Sequence, residues 1–182
     1  MSSKYITTQA IILKRHNFSD AHRYITFFSQ THGKISAMAK GVRKISSNKR
    51  ASLEIFNHIQ LQLYQSKDHY IVTETKLISS FPTIKQNLYS TTQAFQLLEI
   101  IDSLTAELES HPNIFNTSLQ LLHSINNQQS SKTNIIQTFK FMLDELGFGT
   151  PPVYSESSLK QHIETVADHP LRSKNYLIDF PS

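Results

Sequence analysis

The first 80 residues alternate between apolar and polar positions in the way that predicts β-strands. Ile59, Leu61 and Leu63 alternate with two glutamines, the period-two pattern of a half-buried strand. Other runs are rich in β-branched and aromatic residues, and Gly33 suits a tight turn between two of them. We predict five strands, at about residues 5–13, 24–28, 34–40, 53–64 and 69–78. Five short strands favour a small OB-fold barrel, although periodicity alone does not fix their order.

From Pro82 onward, apolar residues recur at three- and four-residue steps, which predicts helices. Ser90 and Gln93 have the spacing of a capping box, Pro112 opens a second helix, and Gly147 ends a third. A fourth, shorter helix is expected near residues 159–166. The first three apolar stripes are Phe95, Leu98, Ile101, Leu104 and Leu108; Phe115, Leu119, Leu122 and Ile125; and Ile135, Ile136, Phe139, Met142, Leu143 and Leu146. We therefore expect a β + α chain, with an OB-fold nucleic-acid-binding domain at residues 1–80 and a small all-α helical domain at residues 81–182.

The net charge of +4 conceals two oppositely charged halves. Residues 1–80 hold twelve Lys and Arg against four Asp and Glu, a net charge of +8. The remaining residues hold six basic and ten acidic side chains, a net charge of −4. The basic half is expected to attract a polyanion, either nucleic acid or an anionic membrane surface.

Between Asp20 and Glu54 the chain has no acidic residue, and this stretch holds seven of the twelve Lys and Arg of residues 1–80. We interpret residues 32–50 as a clamp for phosphate backbones, because uncompensated positive charge repels itself unless a polyanion is present. The alternative is a solvated basic loop without a partner. The bases of this stretch are Lys34, Lys40, Arg43, Lys44, Lys49 and Arg50.

Aromatic residues accompany the bases on the predicted strands. Tyr24, Tyr64 and Tyr70 are candidates for stacking on nucleobases, as aromatic residues do in proteins that bind single-stranded nucleic acid. Filling of the core is the alternative for the tyrosines, and it is the better interpretation for Phe27 and Phe28. Periodicity does not decide between the two roles for the tyrosines.

Several classes of site are disfavoured. The chain has no cysteine, which excludes disulfides and thiolate zinc sites, and no two of its nine histidines are four residues apart. Carboxylates are scattered and no phosphate-binding glycine loop is present, so we expect no catalysis, no metal and no cofactor. A signal-peptide pattern and a run of about 18 apolar residues are both missing, so we expect a cytoplasmic, nucleoid-associated protein.

The N-terminal sequence resembles the opening of the RecO family, the bacterial recombination mediators. The order and spacing match over about fifty residues, and later segments match more weakly. The matching runs are Ala10–Arg15, Asp20–Tyr24, Thr31–Ile35 and Ala39–Lys44, followed by Leu53–Phe56, Leu77–Phe81, Leu143–Phe148 and Pro170–Leu177. Many members carry a four-cysteine zinc module; here it is expected to be absent, because residues 149–152 pass almost directly to the closing segment.

The resemblance implies an OB-fold and a helical domain that act in DNA repair and DNA recombination after DNA damage. It implies binding of single- and double-stranded DNA, strand annealing, and help in loading the RecA recombinase together with RecR. The single-strand-binding protein, through its C-terminal tail, is a further implied partner. The DNA-binding residues carried over are Lys14, Arg15, Arg23, Lys34, Lys40, Arg43 and Lys44, with Lys49 and Arg50 in a looser match. An RNA-binding OB-fold protein and a basic peripheral membrane protein remain the alternatives.

Overall fold

The computed structural model describes residues 4–18, 20–43, 49–67, 69–150 and 156–172, and all the elements named below lie in these ranges. Five β-strands precede residue 80, as the alternating pattern predicted. They are β1 (Tyr5–Asn17), β2 (Arg23–Ser29), β3 (Gly33–Ala39), β4 (His58–Gln65) and β5 (Tyr70–Ser79). The fourth strand begins at His58 and not near residue 53 as predicted.

The five strands close into a barrel in the order β1-β2-β3-β5-β4 and back to β1. All neighbouring strands are antiparallel except β3 and β5, whose parallel pairing is limited to Ala37 with Tyr70 and Met38 with Ile71. The long strand β1 pairs with β4 through its first half and with β2 through its second half. A closed five-stranded barrel is consistent with the predicted OB-fold.

The interior of the barrel is filled by the apolar residues of each strand's alternation. Side chains on a strand point alternately to its two faces, so one set faces inward throughout. Burial of each Ile, Leu or Phe contributes roughly 1.5–3 kcal/mol, which makes this core the main source of the barrel's stability. The buried set is Ala10, Ile12, Ile25, Phe27, Ile35, Ala37, Ala39, Ile59, Leu61, Leu63 and Val72, joined by Val42 and Leu53 from the loops.

A compact turn precedes β4 where the sequence predicted strand. The side-chain amide of Asn57 is fully buried and donates to the carbonyls of Ala51 and Ser52, at 3.0 and 2.9 Å. The Ser52 hydroxyl also lies 2.7 Å from that of Thr75 on β5. These contacts between side chain and backbone satisfy groups that a strand would pair with its neighbour, so the chain turns until His58.

The chain divides into two compact units, and the division is not a single cut at residue 80. Unit 1 is Met1–Ser80 with Ala106–Phe115, and unit 2 is Phe81–Thr105 with Asn116–Ser182. We call residues 106–110 the strap. Its Leu108 amide donates to the Lys34 carbonyl at 2.9 Å, and Glu107 forms a parallel bridge with Lys34. The strap therefore adds a short strand-like contact beside the half of β3 that β5 does not pair.

Five helices follow the barrel strands in the described part of the chain. They are α1 (Pro82–Gln86), α2 (Leu88–Leu104), α3 (Pro112–Asn126), α4 (Lys132–Glu145) and α5 (Glu156–Ala167). The predicted capping box at Ser90 is wrong, because Asn87 caps α2 and accepts a hydrogen bond from the Ser90 amide at 3.0 Å. The predicted Gly147 stop is confirmed, since Gly147 has a φ of 78° directly after Leu146, the residue that caps the end of α4.

The first predicted stripe is only partly correct. Leu98, Ile101 and Leu104 are buried, but Phe95 is 45% exposed and Leu108 is 56% exposed. Helix α2 stops at Leu104, where the Thr105 hydroxyl donates to the Ile101 carbonyl at 2.7 Å and the chain continues into the strap. In the other two stripes Leu119, Ile136 and Leu146 are half-buried and the remaining members are buried.

Candidate nucleic-acid interface

Two of the predicted DNA-binding arginines lie at one end of the barrel on its inward-facing row. Arg15 pairs with Ile25 across β1 and β2, and Arg23 pairs with Ala39 across β2 and β3. Directly opposite residues of antiparallel strands project from the same face of the sheet. Because Ile25 and Ala39 belong to the core, both arginines project from the inward-facing side of the sheet. They lie at the end of the barrel, beyond the last apolar core residues of their strands.

Four arginines and the Glu54 carboxylate interact electrostatically in this region. We call Arg15, Arg23, Arg43 and Arg50 the arginine cluster. The pKa of Arg23 is lowered, first by burial and then by the positive charges of the other three, while the Glu54 carboxylate acts in the opposite direction. Among the described residues, the charges that act on Arg23 are therefore mainly positive, which is the condition that attracts an anion.

The hydrogen bonds within the cluster leave part of its donor capacity unused. Arg15 Nη1 lies 2.5 Å from Glu54 Oε1, and Arg23 Nε donates to Asn17 Oδ1 at 3.0 Å. Arg23 Nη1 is buried and has no hydrogen-bond partner among the residues that the structure describes. This nitrogen is enclosed by protein, so the guanidinium donors open to an external acceptor are those of the exposed Arg43 and Arg50.

Backbone contacts between two turns place Arg43 in the cluster. The Gly41 amide donates to His22 Nδ1 at 3.0 Å, and the Arg43 amide donates to the Ala21 carbonyl at 3.3 Å. Val42, between them, is fully buried in the barrel core. The chain after β3 is therefore fastened to the β1–β2 turn while the Arg43 side chain is exposed.

Arg50 and Lys49 are neighbours in sequence but have different surroundings. Lys49 Nζ donates to the Val72 carbonyl of β5 at 3.3 Å, so this predicted phosphate contact has a structural partner. Arg50 is exposed on the turn that Asn57 stabilises. Arg50 consequently has the freedom to reach a ligand that Lys49 lacks.

The remaining predicted bases are spread over the barrel. Lys14 pairs with Thr26 and lies exposed on the outer face of β1, and Lys40 is exposed directly after β3. Lys34 stands five residues before Ala39 on β3, which corresponds to about 17 Å along the strand, so it lies towards the other end of the barrel. Lys44 is outside the described residues. The structure thus brings together Arg15, Arg23, Arg43 and Arg50 and separates Lys34 from them.

The three candidate tyrosines differ in their surroundings. Tyr24 lies half-buried on the outer face of β2, with its ring 5.1 Å from that of Phe18. Tyr64 packs against Tyr5 with ring centroids 5.3 Å apart. Tyr70 packs against the barrel core, which is the core-filling alternative.

Sequence reasoning missed two exposed aromatic residues and one carboxylate of this region. Phe18 and Tyr5 are 59% and 54% exposed, and each touches a tyrosine that the sequence did single out. Phe18 lies in a turn, outside any alternating pattern, so periodicity gave no signal for it. Glu54 and Arg15 are 39 positions apart in the sequence, and only the tertiary fold brings them into contact.

No group of three His, Cys, Asp or Glu side chains suited to a metal occurs among the described residues. Within the same ranges, no helix has both the length and the apolar character needed to cross a membrane.

Residues 1–81 match the family model described as "Recombination protein O N terminal". The chain belongs to the RecO family through this N-terminal region. Curated relatives of this family extend the similarity beyond the barrel. The chain is 30% identical over 145 residues to the DNA repair protein RecO of Acetivibrio thermocellus, covering 79% of this chain and 58% of the relative.

Two further relatives bear the same name. The RecO protein of Heliobacterium modesticaldum is 33% identical over 99 residues, which is 54% of this chain and 36% of the relative. That of Alkaliphilus metalliredigens is 25% identical over 140 residues, which is 77% of this chain and 57% of the relative. The chain therefore spans between about a third and three fifths of the length of these RecO proteins.

Proposed function

We propose that this chain binds DNA in repair and recombination, and that the arginine cluster at the end of the barrel contacts the phosphate backbone. The observation that carries the proposal is the grouping of the half-buried Arg15 and Arg23 with the exposed Arg43 and Arg50, whose charges all act on Arg23. The similarity to proteins named DNA repair protein RecO supports DNA as the polyanion.

Phosphate contacts of this kind contribute affinity without reading base sequence. Each arginine that neutralises a phosphate releases condensed counterions, so the binding constant falls as salt rises. The guanidinium plane also matches two phosphate oxygens at once, which favours arginine over lysine for a fixed contact. The cluster should therefore bind single and double strands of any sequence.

Annealing follows from the same electrostatics. A strand held on the cluster has part of its charge neutralised, so a complementary strand meets less repulsion and base pairing can begin. Loading of the RecA recombinase with RecR, and contact with the single-strand-binding protein, complete the proposed role of a recombination mediator. The proposal assigns no catalytic group and no cofactor to the chain.

The direct test is the salt dependence of binding to a fluorescent oligonucleotide and to its duplex. If the four arginines and Lys40 each neutralise one phosphate of a single strand, the log–log slope should be roughly −3.5. In the double variant Arg43→Ala with Arg50→Ala, the slope should flatten by about 1.4, and binding should weaken similarly for all sequences.

A charge-matched control separates the cluster from the overall charge of the chain. Lys132→Ala with Lys140→Ala also removes two positive charges, but both lysines lie on α4 of unit 2 and not on the barrel strands. The control should keep a slope close to that of the wild type. Equal losses in both double variants, or a binding constant independent of salt, would remove the cluster as the phosphate site.

Competition and annealing assays test the remaining parts of the proposal. A matched RNA strand that competes better than the DNA strand would favour the RNA-binding alternative, and flotation with anionic vesicles would favour the membrane alternative. Annealing of strands coated by the single-strand-binding protein, with and without RecR, tests the mediator role. The Arg43 and Arg50 double variant should anneal more slowly than the Lys132 and Lys140 control.

A further inference from the structure

An exposed aromatic pair stands beside the arginine cluster. Phe18 follows β1 directly and is 59% exposed, and its ring meets the Tyr24 ring at 88° with centroids 5.1 Å apart. An edge-to-face contact covers at most one face of a ring, so at least one face of Phe18 is not covered by Tyr24. The apolar ring of Phe18 is thus exposed to solvent and does not contribute to the barrel core.

The turn fixes the position of this ring. The Phe18 amide donates to the His22 carbonyl at 3.1 Å, which closes the turn between β1 and β2. Tyr24 pairs with His16 and with Met38 on the neighbouring strands, so it stands on the outer face of the sheet. Phe18 therefore rests on a side chain whose own orientation is set by the sheet.

The surroundings of the pair favour a polyanionic ligand that also has flat apolar groups. Arg23 precedes Tyr24 in the chain and belongs to the arginine cluster, and Lys14 is exposed on the same outer face as Tyr24. A purely apolar peptide would gain nothing from these cations. Single-stranded nucleic acid alternates phosphates with bases whose faces are free to stack on aromatic rings.

We propose that Phe18, supported by Tyr24, stacks on one unpaired nucleobase of the strand whose phosphates lie on the arginine cluster. The inference rests on the proposed nucleic-acid binding and deepens it, because it adds a preference for unpaired over paired bases. Within a duplex the faces of each base are covered by its neighbours, whereas a single strand can present a base to the ring. The arginines bind both forms, and Phe18 distinguishes them.

The absence of tryptophan from these 182 residues allows a direct test in the whole chain as given by its sequence. In Phe18→Trp, the only indole of the protein would occupy the proposed stacking position. Its fluorescence should be strongly quenched by an oligothymidylate, and much less by an abasic phosphate backbone of the same length. The duplex should likewise leave the emission almost unchanged.

Tyr5→Trp provides the matched control. Tyr5 is 54% exposed and also packs on a tyrosine, but it begins β1, whereas Phe18 follows the end of that strand. The indole at position 5 should keep its emission when the oligothymidylate binds. Phe18→Ala should in addition weaken single-strand binding by about tenfold while leaving duplex binding unchanged.

The outcomes separate the two proposals. If the variants bind the oligothymidylate with normal salt dependence but the indole at position 18 is not quenched, or is quenched equally by the abasic backbone, base stacking at Phe18 is wrong and phosphate binding stands. If a Phe18→Ala protein with a wild-type circular dichroism spectrum keeps its preference between single strand and duplex, stacking is again overturned. If the wild type binds neither ligand, both proposals fail.

Discussion

Replacement of Gly33 by alanine tests how the strap is held to the barrel. Gly33 has a φ of +66°, and a Cβ atom built there would lie 1.7 Å from the Glu109 carbonyl oxygen and 2.5 Å from its carbon. Ordinary van der Waals contact begins near 3.4 Å, and the obstructing atoms belong to the backbone, so the strap itself would have to move. The predicted result is displacement of residues 106–110 from β3.

Gly41 offers a control with the same backbone strain and no obstruction. Its φ is +70°, and a Cβ atom there would meet nothing within 4 Å. A non-glycine residue in the left-handed region costs roughly 1–2 kcal/mol, and both variants incur this loss. Gly33→Ala should lose in addition the hydrogen bonds from the Leu108 amide to the Lys34 carbonyl and from the Ser110 hydroxyl to the Gln30 carbonyl.

The two variants are compared by their free energies of unfolding. Two lost hydrogen bonds at about 1 kcal/mol each make Gly33→Ala less stable than Gly41→Ala by roughly 2 kcal/mol. For a chain of this size that difference lowers the melting temperature by about 4–8 °C. Urea and thermal unfolding followed by circular dichroism measure it.

Hydrogen exchange locates the change within the molecule. The Leu108 amide, which donates to Lys34, should exchange much faster in Gly33→Ala and stay protected in Gly41→Ala. Equal destabilisation of both variants, together with a protected Leu108 amide in Gly33→Ala, would refute the close approach of the strap to Gly33.

Two further predictions follow from single groups. Glu54 pairs with Arg15, so its carboxylate competes with phosphates for the cluster. In an anisotropy titration at fixed salt, Glu54→Gln should bind DNA a few-fold more tightly than the wild type. Weaker binding than in the control variant Glu74→Gln would contradict this. Burial raises the pKa of Tyr89, so the folded chain holds that proton more firmly than the unfolded chain, and stability should decline as the pH rises above 10. Urea midpoints between pH 9 and 11 should fall less in Tyr89→Phe than in the wild type, and an equal fall would count against the assignment.

The strands and the main helices were predictable from local pattern. Ile59, Leu61 and Leu63 alternate in the sequence and are all buried in the barrel, because a strand that faces a core on one side requires a period of two. Gly147 marked the end of α4, because a left-handed residue after a helix is most easily a glycine. The acid-free basic stretch also identified the part of the chain that supplies Arg43 and Arg50.

Local pattern failed where a distant contact decided the outcome. The stripe through Leu108 predicted a longer helix, but Leu108 belongs to the strap, whose amide finds its acceptor on Lys34 of β3. Ser90 has the residue type of a helix cap, yet Asn87 provides the cap and the Ser90 amide is its donor. In each case the competing partner, and not the propensity of the residue, determined the structure.

The sequence by itself determined that residues 1–80 form a basic set of strands and that helices follow, and its charge pattern predicted a polyanionic partner. Only the tertiary structure decided which basic residues lie together. The register of β1, β2 and β3 brings Arg15 and Arg23 to one end of the barrel and leaves Lys34 about 17 Å along the strand from Ala39. Periodicity specifies which face a side chain takes, whereas strand register and closure of the barrel specify its neighbours. Neighbouring charges, in turn, determine where a phosphate can bind.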